Sequence, residues 1–153
     1  MTRRKLTLML VAMTVPAPAL FGSGTARTAE PIPVILYKNP SCTCCEAYAQ
    51  YLDENGFQVD VRPTNDLAEI SRKAGIPADL EGCHTSFIGG YVVDGHVPVN
   101  TIRKLLDEKP AIAGITLPGM PPGVPGMGGE KTGPLTVYAI SNDGALPRVF
   151  AVD

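Results

Sequence analysis

The first strong apolar signal along the chain is Val34-Ile35-Leu36-Tyr37, a continuous run of strand length that predicts a buried strand. Lys38-Asn39-Pro40-Ser41 then reads as a turn. From Cys45 the period becomes helical. Cys45, Tyr48, Tyr51 or Leu52, and Asn55 fall on one face, and Gly56 supplies a stop. Phe57-Gln58-Val59-Asp60-Val61 alternates and predicts a second strand, closed by Arg62-Pro63. Asp66 and Glu69 have the spacing of a capping box, opening a second helix over 67–74 that Gly75 closes. Thr85–Ile88 and Tyr91–Val93 flank Gly89-Gly90 as the arms of a hairpin. Pro98 suits the first turn of a third helix that buries Ile102, Leu105 and Leu106 and stops at Pro110. Residues 117–129 follow neither period and predict a long irregular Pro/Gly/Met loop. Leu135–Ile140 and Pro147–Ala151, across Asn142-Asp143-Gly144, predict a C-terminal β-hairpin.

The resulting order, βαβα–ββα, belongs to the α/β class and suits a thioredoxin- or glutaredoxin-like sheet. The chain has 153 residues, 44% apolar and 18% charged, which is enough for one packed domain. Residues 1–29 read as an export signal. Arg3, Arg4 and Lys5 precede an apolar stretch, Leu6–Val15, that is too short to span a bilayer. Acidic residues are absent from the segment, and cleavage fits after Ala26 or Ala29, with Ala17-Pro18-Ala19 an earlier alternative. Both a twin-arginine and a general secretory route fit. Either predicts a periplasmic or secreted bacterial protein with one domain over 30–153 and no stable membrane span in the mature chain. The full chain carries a net charge of −2, and loss of Arg3, Arg4, Lys5 and Arg27 leaves nine basic and fifteen acidic residues, net −6. That balance argues against nucleic acid or an anionic membrane as partner.

The chemistry concentrates in four cysteines and two histidines. Cys42 and Cys45 form a C-x-x-C between the first strand and the first helix, with Cys44 inside it. Thiols there face a helix N-terminus, whose partial positive charge favours thiolate. In a glutaredoxin-like layout the residues before the third strand face that motif, and a cis-proline usually stands there. This chain has Gly82-Cys83-His84-Thr85 instead. Four sulfurs at one spot favour a soft metal over disulfide exchange. Two other readings remain open: a thiol redox pair, or structural disulfides. Four cysteines allow three pairings, and the one joining neighbours Cys44 and Cys45 is strained. His84 and His96 are candidates for ligands or for groups that orient ligands. Met120 and Met127 are the only methionines beyond the export segment. Their thioethers suit Cu(I) better than zinc, or else pin the loop by packing.

The stretch YKNPSCTCC from Tyr37 to Cys45, GCHT at 82–85, GYVVDGHVP at 90–98 and LPGMPPGVPGM at 117–127 together resemble the CopG-like family. These are periplasmic metal-binding proteins, long grouped as a domain of unknown function and often encoded with copper-resistance genes. The resemblance covers about 32–152. It implies a thioredoxin-like fold and copper held by cysteine thiolates, as Cu(I) or as a multinuclear copper–sulfur cluster, with a redox role in copper detoxification. The thiolate role carries over to Cys42, Cys44, Cys45 and Cys83, and the implied ligand set extends to His96, Met120 and Met127. Thr43 stands where the family usually has glycine, and Tyr48 where it often has tryptophan, a swap expected to affect packing only. The expected partners are the metal ion and other periplasmic copper-handling proteins. The alternatives are a metal-free thiol–disulfide oxidoreductase and a periplasmic copper metallochaperone.

Overall fold

The computed structural model describes residues 30–153. The expected export segment, with Arg3, Arg4 and Lys5, lies outside the described residues. Strand β1 (Ile32–Lys38) buries Val34, Leu36 and Lys38, every second residue. It lies between two neighbours, parallel to β2 (Phe57–Pro63) and antiparallel to β3 (His84–Ile88). A parallel pair needs a crossover, and helix α1 (Thr43–Glu54) supplies it. Cys45, Tyr48, Ala49 and Leu52 are its buried face, one stripe at helical spacing. Gly56, at φ 85°, turns the chain out of α1 into β2.

Helix α2 (Leu67–Lys73) forms, and Gly75 follows it at φ 86° as expected. The capping box does not. The Asp66 side chain makes no cap hydrogen bond, the Asp66 amide donates to Thr64 Oγ1 at 3.0 Å, and Glu69 pairs with Lys73 at 2.6 Å. The nearer threonine hydroxyl captures the turn, and the glutamate turns to the cation one helical turn on. A 3₁₀ turn (Ala78–Leu80) leads to β3, which pairs antiparallel with β4 (Tyr91–Asp94) across Gly89 and Gly90. Both glycines have positive φ, the condition of a tight hairpin.

Helix α3 (Val99–Glu108) begins directly after Pro98 and buries Val99, Thr101, Ile102 and Leu105, while Leu106 is half-buried rather than fully enclosed. Strand β5 (Gly114–Thr116) has no counterpart in the sequence pattern. It pairs parallel with β4 and antiparallel with β6 (Thr136–Ile140), which forms the expected C-terminal hairpin with β7 (Arg148–Val152). The result is one mixed seven-stranded sheet in the order β2-β1-β3-β4-β5-β6-β7.

Neighbouring residues of β4 divide between two cores. Val93 joins the main cluster with Leu36, Tyr48, Leu52, Ile102 and Val137, and Val92 joins Ile76 and Ile140 in a smaller one. Alternation along a strand sends the two side chains to opposite faces. Among the described residues no helix is long and apolar enough to cross a membrane.

Candidate metal centre

The fold brings the end of β1, the first turn of α1 and the approach to β3 to one end of the sheet, where Lys38 pairs with His84. Cys42 is the N-cap residue of α1, and Thr43 is its first helical residue. Lys109 is the only non-glycine at positive φ among the described residues, so Thr43 takes the place of glycine without strain. Cys44 and Cys45 follow in the same turn. The peptide dipoles of α1 therefore place partial positive charge at three sulfurs.

Lys38 holds this turn in place. It is only 2% exposed, yet its ammonium donates to the carbonyls of Asn39, Pro40 and Cys42 at 3.2, 3.3 and 3.2 Å and pairs with Glu46 at 3.0 Å. A buried cation needs such partners, and here they are the turn itself. The sequence pattern assigns Lys38 to the turn, whereas it is the last, buried residue of β1. Its signal is a lysine at a core-facing strand position directly before a turn.

Cys83 approaches from the other side. Its Sγ lies 3.5 Å from Cys45 Sγ and 3.9 Å from Cys44 Sγ, and Cys42 Sγ lies 3.4 Å from Cys44 Sγ. All four sulfurs are within 4.8 Å of one another. Cys42 and Cys45 are joined in a disulfide, and Cys44 and Cys83 are free thiols. The pair of structural disulfides weighed from sequence is therefore not what forms. Four soft donors in this space fit a thiophilic ion once the Cys42–Cys45 bond is reduced.

Both histidines are completely buried beside Cys83. His96 Nδ1 is 2.6 Å from the carbonyl oxygen of Pro125. A carbonyl only accepts, so Nδ1 carries the proton and a neutral ring keeps its lone pair on Nε2. That Nε2 is 3.0 Å from Cys83 Sγ. His84 Nδ1 is 3.5 Å from the same sulfur, and His84 Nε2 has no hydrogen-bond partner. Burial first, and His96 second, pull His84 down to about 3, so its ring is neutral. Burial also lowers His96, against the opposing bond to Pro125. Burial, then the neighbouring Cys44, pushes the Cys83 thiol up to about 12, so without a metal it is protonated and shares its hydrogen with His96.

Tyr48 does more than pack. Its ring lies 4.5 Å from that of His84 and 5.1 Å from that of His96, and its hydroxyl donates to the Val97 carbonyl at 2.8 Å. The phenol thus fixes the chain next to His96, which an indole at this position would reach differently.

Asp94 fixes Cys83 from behind. Its buried carboxylate accepts hydrogen bonds from the Gly82 amide and, at 2.7 Å, from the Thr85 hydroxyl. Burial pushes this carboxyl up to about 6, with those two bonds holding it down. Gly82 has no room for a Cβ, because the Gly95 backbone occupies that space.

The long loop closes over the centre through Val124, Pro125 and Gly126. Val124 is buried in the main core, and a Cβ on Gly126 would lie 2.7 Å from the Tyr48 amide nitrogen and 3.1 Å from the Cys44 carbonyl oxygen. Met127 is half-buried against the same core, and Met120 is 54% exposed. The structure therefore joins Cys42, Cys44, Cys45, Cys83, His84 and His96 in one centre, with both methionines on the loop that covers it.

Residues 80–127, which hold Cys83, both histidines and most of the loop, match a family described as "Protein of unknown function, DUF411". No curated protein matches the chain. Two solved structures resemble it over nearly their whole length. They are forms 2 and 1 of the copper resistance protein CopG, each 33% identical, with TM-scores of 0.75 and 0.74. The similarity covers 81% of this chain and 99% and 98% of those chains.

Proposed function

This chain belongs to the CopG family, and from that premise we propose that it is an exported, periplasmic copper-binding protein of copper resistance. Copper is its cargo, held as Cu(I) or as a copper–sulfur cluster by the thiolates of Cys42, Cys44, Cys45 and Cys83. The supporting observation is the convergence of four sulfurs, three from one helical turn and one from the entry to β3. Thiolate is soft and polarisable, and it selects Cu(I) over harder divalent ions. His96 adds a nitrogen donor at the edge of the set, its tautomer fixed by Pro125. Met120 and Met127 offer thioethers on the loop and slow the departure of copper.

The test is a competition under reducing conditions. Cu(I) displaces Zn(II), and elemental analysis with a thiol count finds copper bound and all four cysteines reduced. Displacement of bound Cu(I) by zinc overturns the reading.

The Cys42–Cys45 disulfide favours a second reading, a thiol–disulfide oxidoreductase. A partner dithiol attacks that bond through a mixed disulfide. The partner leaves as its own disulfide, and its two electrons and two protons remain on Cys42 and Cys45 as thiols. Turnover of a dithiol substrate by the metal-free protein separates this reading from copper binding.

A further inference from the structure

The turn between β6 and β7 carries the most exposed large apolar side chain among the described residues, Leu146 at 88%. We propose that this turn is the contact of a two-fold symmetric dimer, in which Leu146 of each copy enters a cavity beside the same turn of the other. That cavity has a volume of about 480 Å³. Ala111 and Ile112, in the stretch that joins α3 to β5, form its apolar wall, and Leu146 itself forms part of its rim. A protrusion and a hollow side by side on one face are what a two-fold axis exchanges, because each copy supplies both.

Three observations favour a second copy as the occupant. The first is charge. Asp143 and Arg148 line the same cavity, and neither forms an ion pair among the described residues. A two-fold axis sets the Arg148 guanidinium of one copy against the Asp143 carboxylate of the other, twice in each dimer. The second is rigidity. The Ser141 hydroxyl donates to the Ala145 carbonyl at 3.1 Å, and the Ala145 amide donates to Asp143 Oδ1 at 3.1 Å. Leu146 therefore stands out from a turn that is already fixed, and docking costs little loop entropy. The third is where the apolar surface lies. Of six exposed large hydrophobic side chains, Leu146, Val149 and Val152 are on this turn and on β7. Strand β7 is also an edge of the sheet, but it is closed to strand addition. Phe150 is a bulge with no partner on β6, and Lys104 donates to its carbonyl at 3.3 Å. Bulges and lysines keep sheet edges from pairing. The exposed apolar side chains thus suit packing against another surface rather than extension of the sheet, and the turn is where the matching hollow lies.

The test is sedimentation velocity of the purified, metal-free chain from micromolar concentration up to about 1 mM. A thiol reductant excludes disulfide-linked copies, and the outcome is independent of copper binding. The wild-type chain shifts from one copy to two as concentration rises. Leu146→Asp changes a side chain too exposed to hold the fold, so circular dichroism stays the same. It weakens association by more than about 100-fold, since each dimer loses two buried leucines. Arg148→Glu and Asp143→Lys are then measured alone and mixed. Alone, each sets like charges against each other and stays a single copy. Their equimolar mixture dimerises, because a mixed dimer restores both ion pairs. A wild-type chain that stays a single copy throughout overturns the proposal, and so does a dimer that Leu146→Asp leaves intact. Charge variants that associate alone as well as wild type, or whose mixture associates no better than its parts, overturn the two-fold exchange.

Discussion

The α1 side of the centre presents three sulfurs from one helical turn, with Cys42 and Cys44 half-exposed, whereas the hairpin side sets one sulfur between two imidazoles that have no exposed surface. The first side has two covalent states, because Cys42 and Cys45 form a bond that must open before all four sulfurs can bind metal. The second side is held by hydrogen bonds of Tyr48, Asp94 and Pro125, none of which involves the Cys42 or Cys45 sulfur. A carrier of a reactive ion gains from this division. One side holds the bond that reduction opens, and the other holds its donors through hydrogen bonds.

The largest effect is expected from the residue that both sides share. Cys83→Ser removes a sulfur from each donor group and substitutes a hard, poorly ionised hydroxyl. Most bound copper is lost, while circular dichroism and thermal unfolding show the fold intact. Retention of wild-type stoichiometry and affinity would mean that the sides do not meet at Cys83, and would favour the Cys42–Cys45 redox pair.

Lys38→Met tests the sulfur side alone. It keeps the stem and removes the ammonium from three carbonyls. Loss of those bonds lowers stability by about 2–3 kcal/mol. Cu(I) affinity falls because the Cys42 turn loosens, while the histidine resonances keep their wild-type tautomer pattern in NMR. An altered His96 tautomer would show that the two sides are mechanically coupled.

Gly126→Ala does the reverse. At φ 79° a side chain is strained, and its Cβ would press on the Tyr48 amide nitrogen. The expected loss is about 1–3 kcal/mol, read by thermal unfolding. The loop lifts, taking the Pro125 carbonyl from His96, so the tautomer signal changes; an unchanged tautomer signal would show that Pro125 does not set it.

The smallest effect belongs to the loop sulfurs. Met120→Leu with Met127→Leu preserves apolar volume and removes only the thioethers. Copper release speeds up by less than about tenfold, with unfolding unchanged. An unchanged release rate in this double variant makes both methionines packing residues.

The sulfur side was the more legible of the two. Cysteine spacing at a strand–helix junction is a local signal, and Cys83 stands directly before a readable strand. The role of Lys38 was less legible, because its partners appear only when the turn curls back over β1. His84 and His96 stood out as the only histidines, yet their shared contact with Tyr48 depends on packing α1 against the sheet. Strand β5 was missed for a similar reason. Its three residues carry no period of their own, and pairing extends to Ala113, which bonds to Val92 on one side and to Ile140 on the other. The capping box failed on a local competition that spacing does not weigh, since the Thr64 hydroxyl reached the Asp66 amide.

The bond from the Gly82 amide to the buried Asp94 carboxylate also makes Gly82 a reporter. Gly82 lies in a segment without regular structure, where amide protons ordinarily exchange with solvent deuterium quickly. Its proton is instead held by a group with no exposed surface, so it exchanges only when the hairpin side opens. Deuterium uptake at this one amide therefore times the breathing of the buried donors, while uptake along the first turn of α1 follows the opening and closing of the sulfurs.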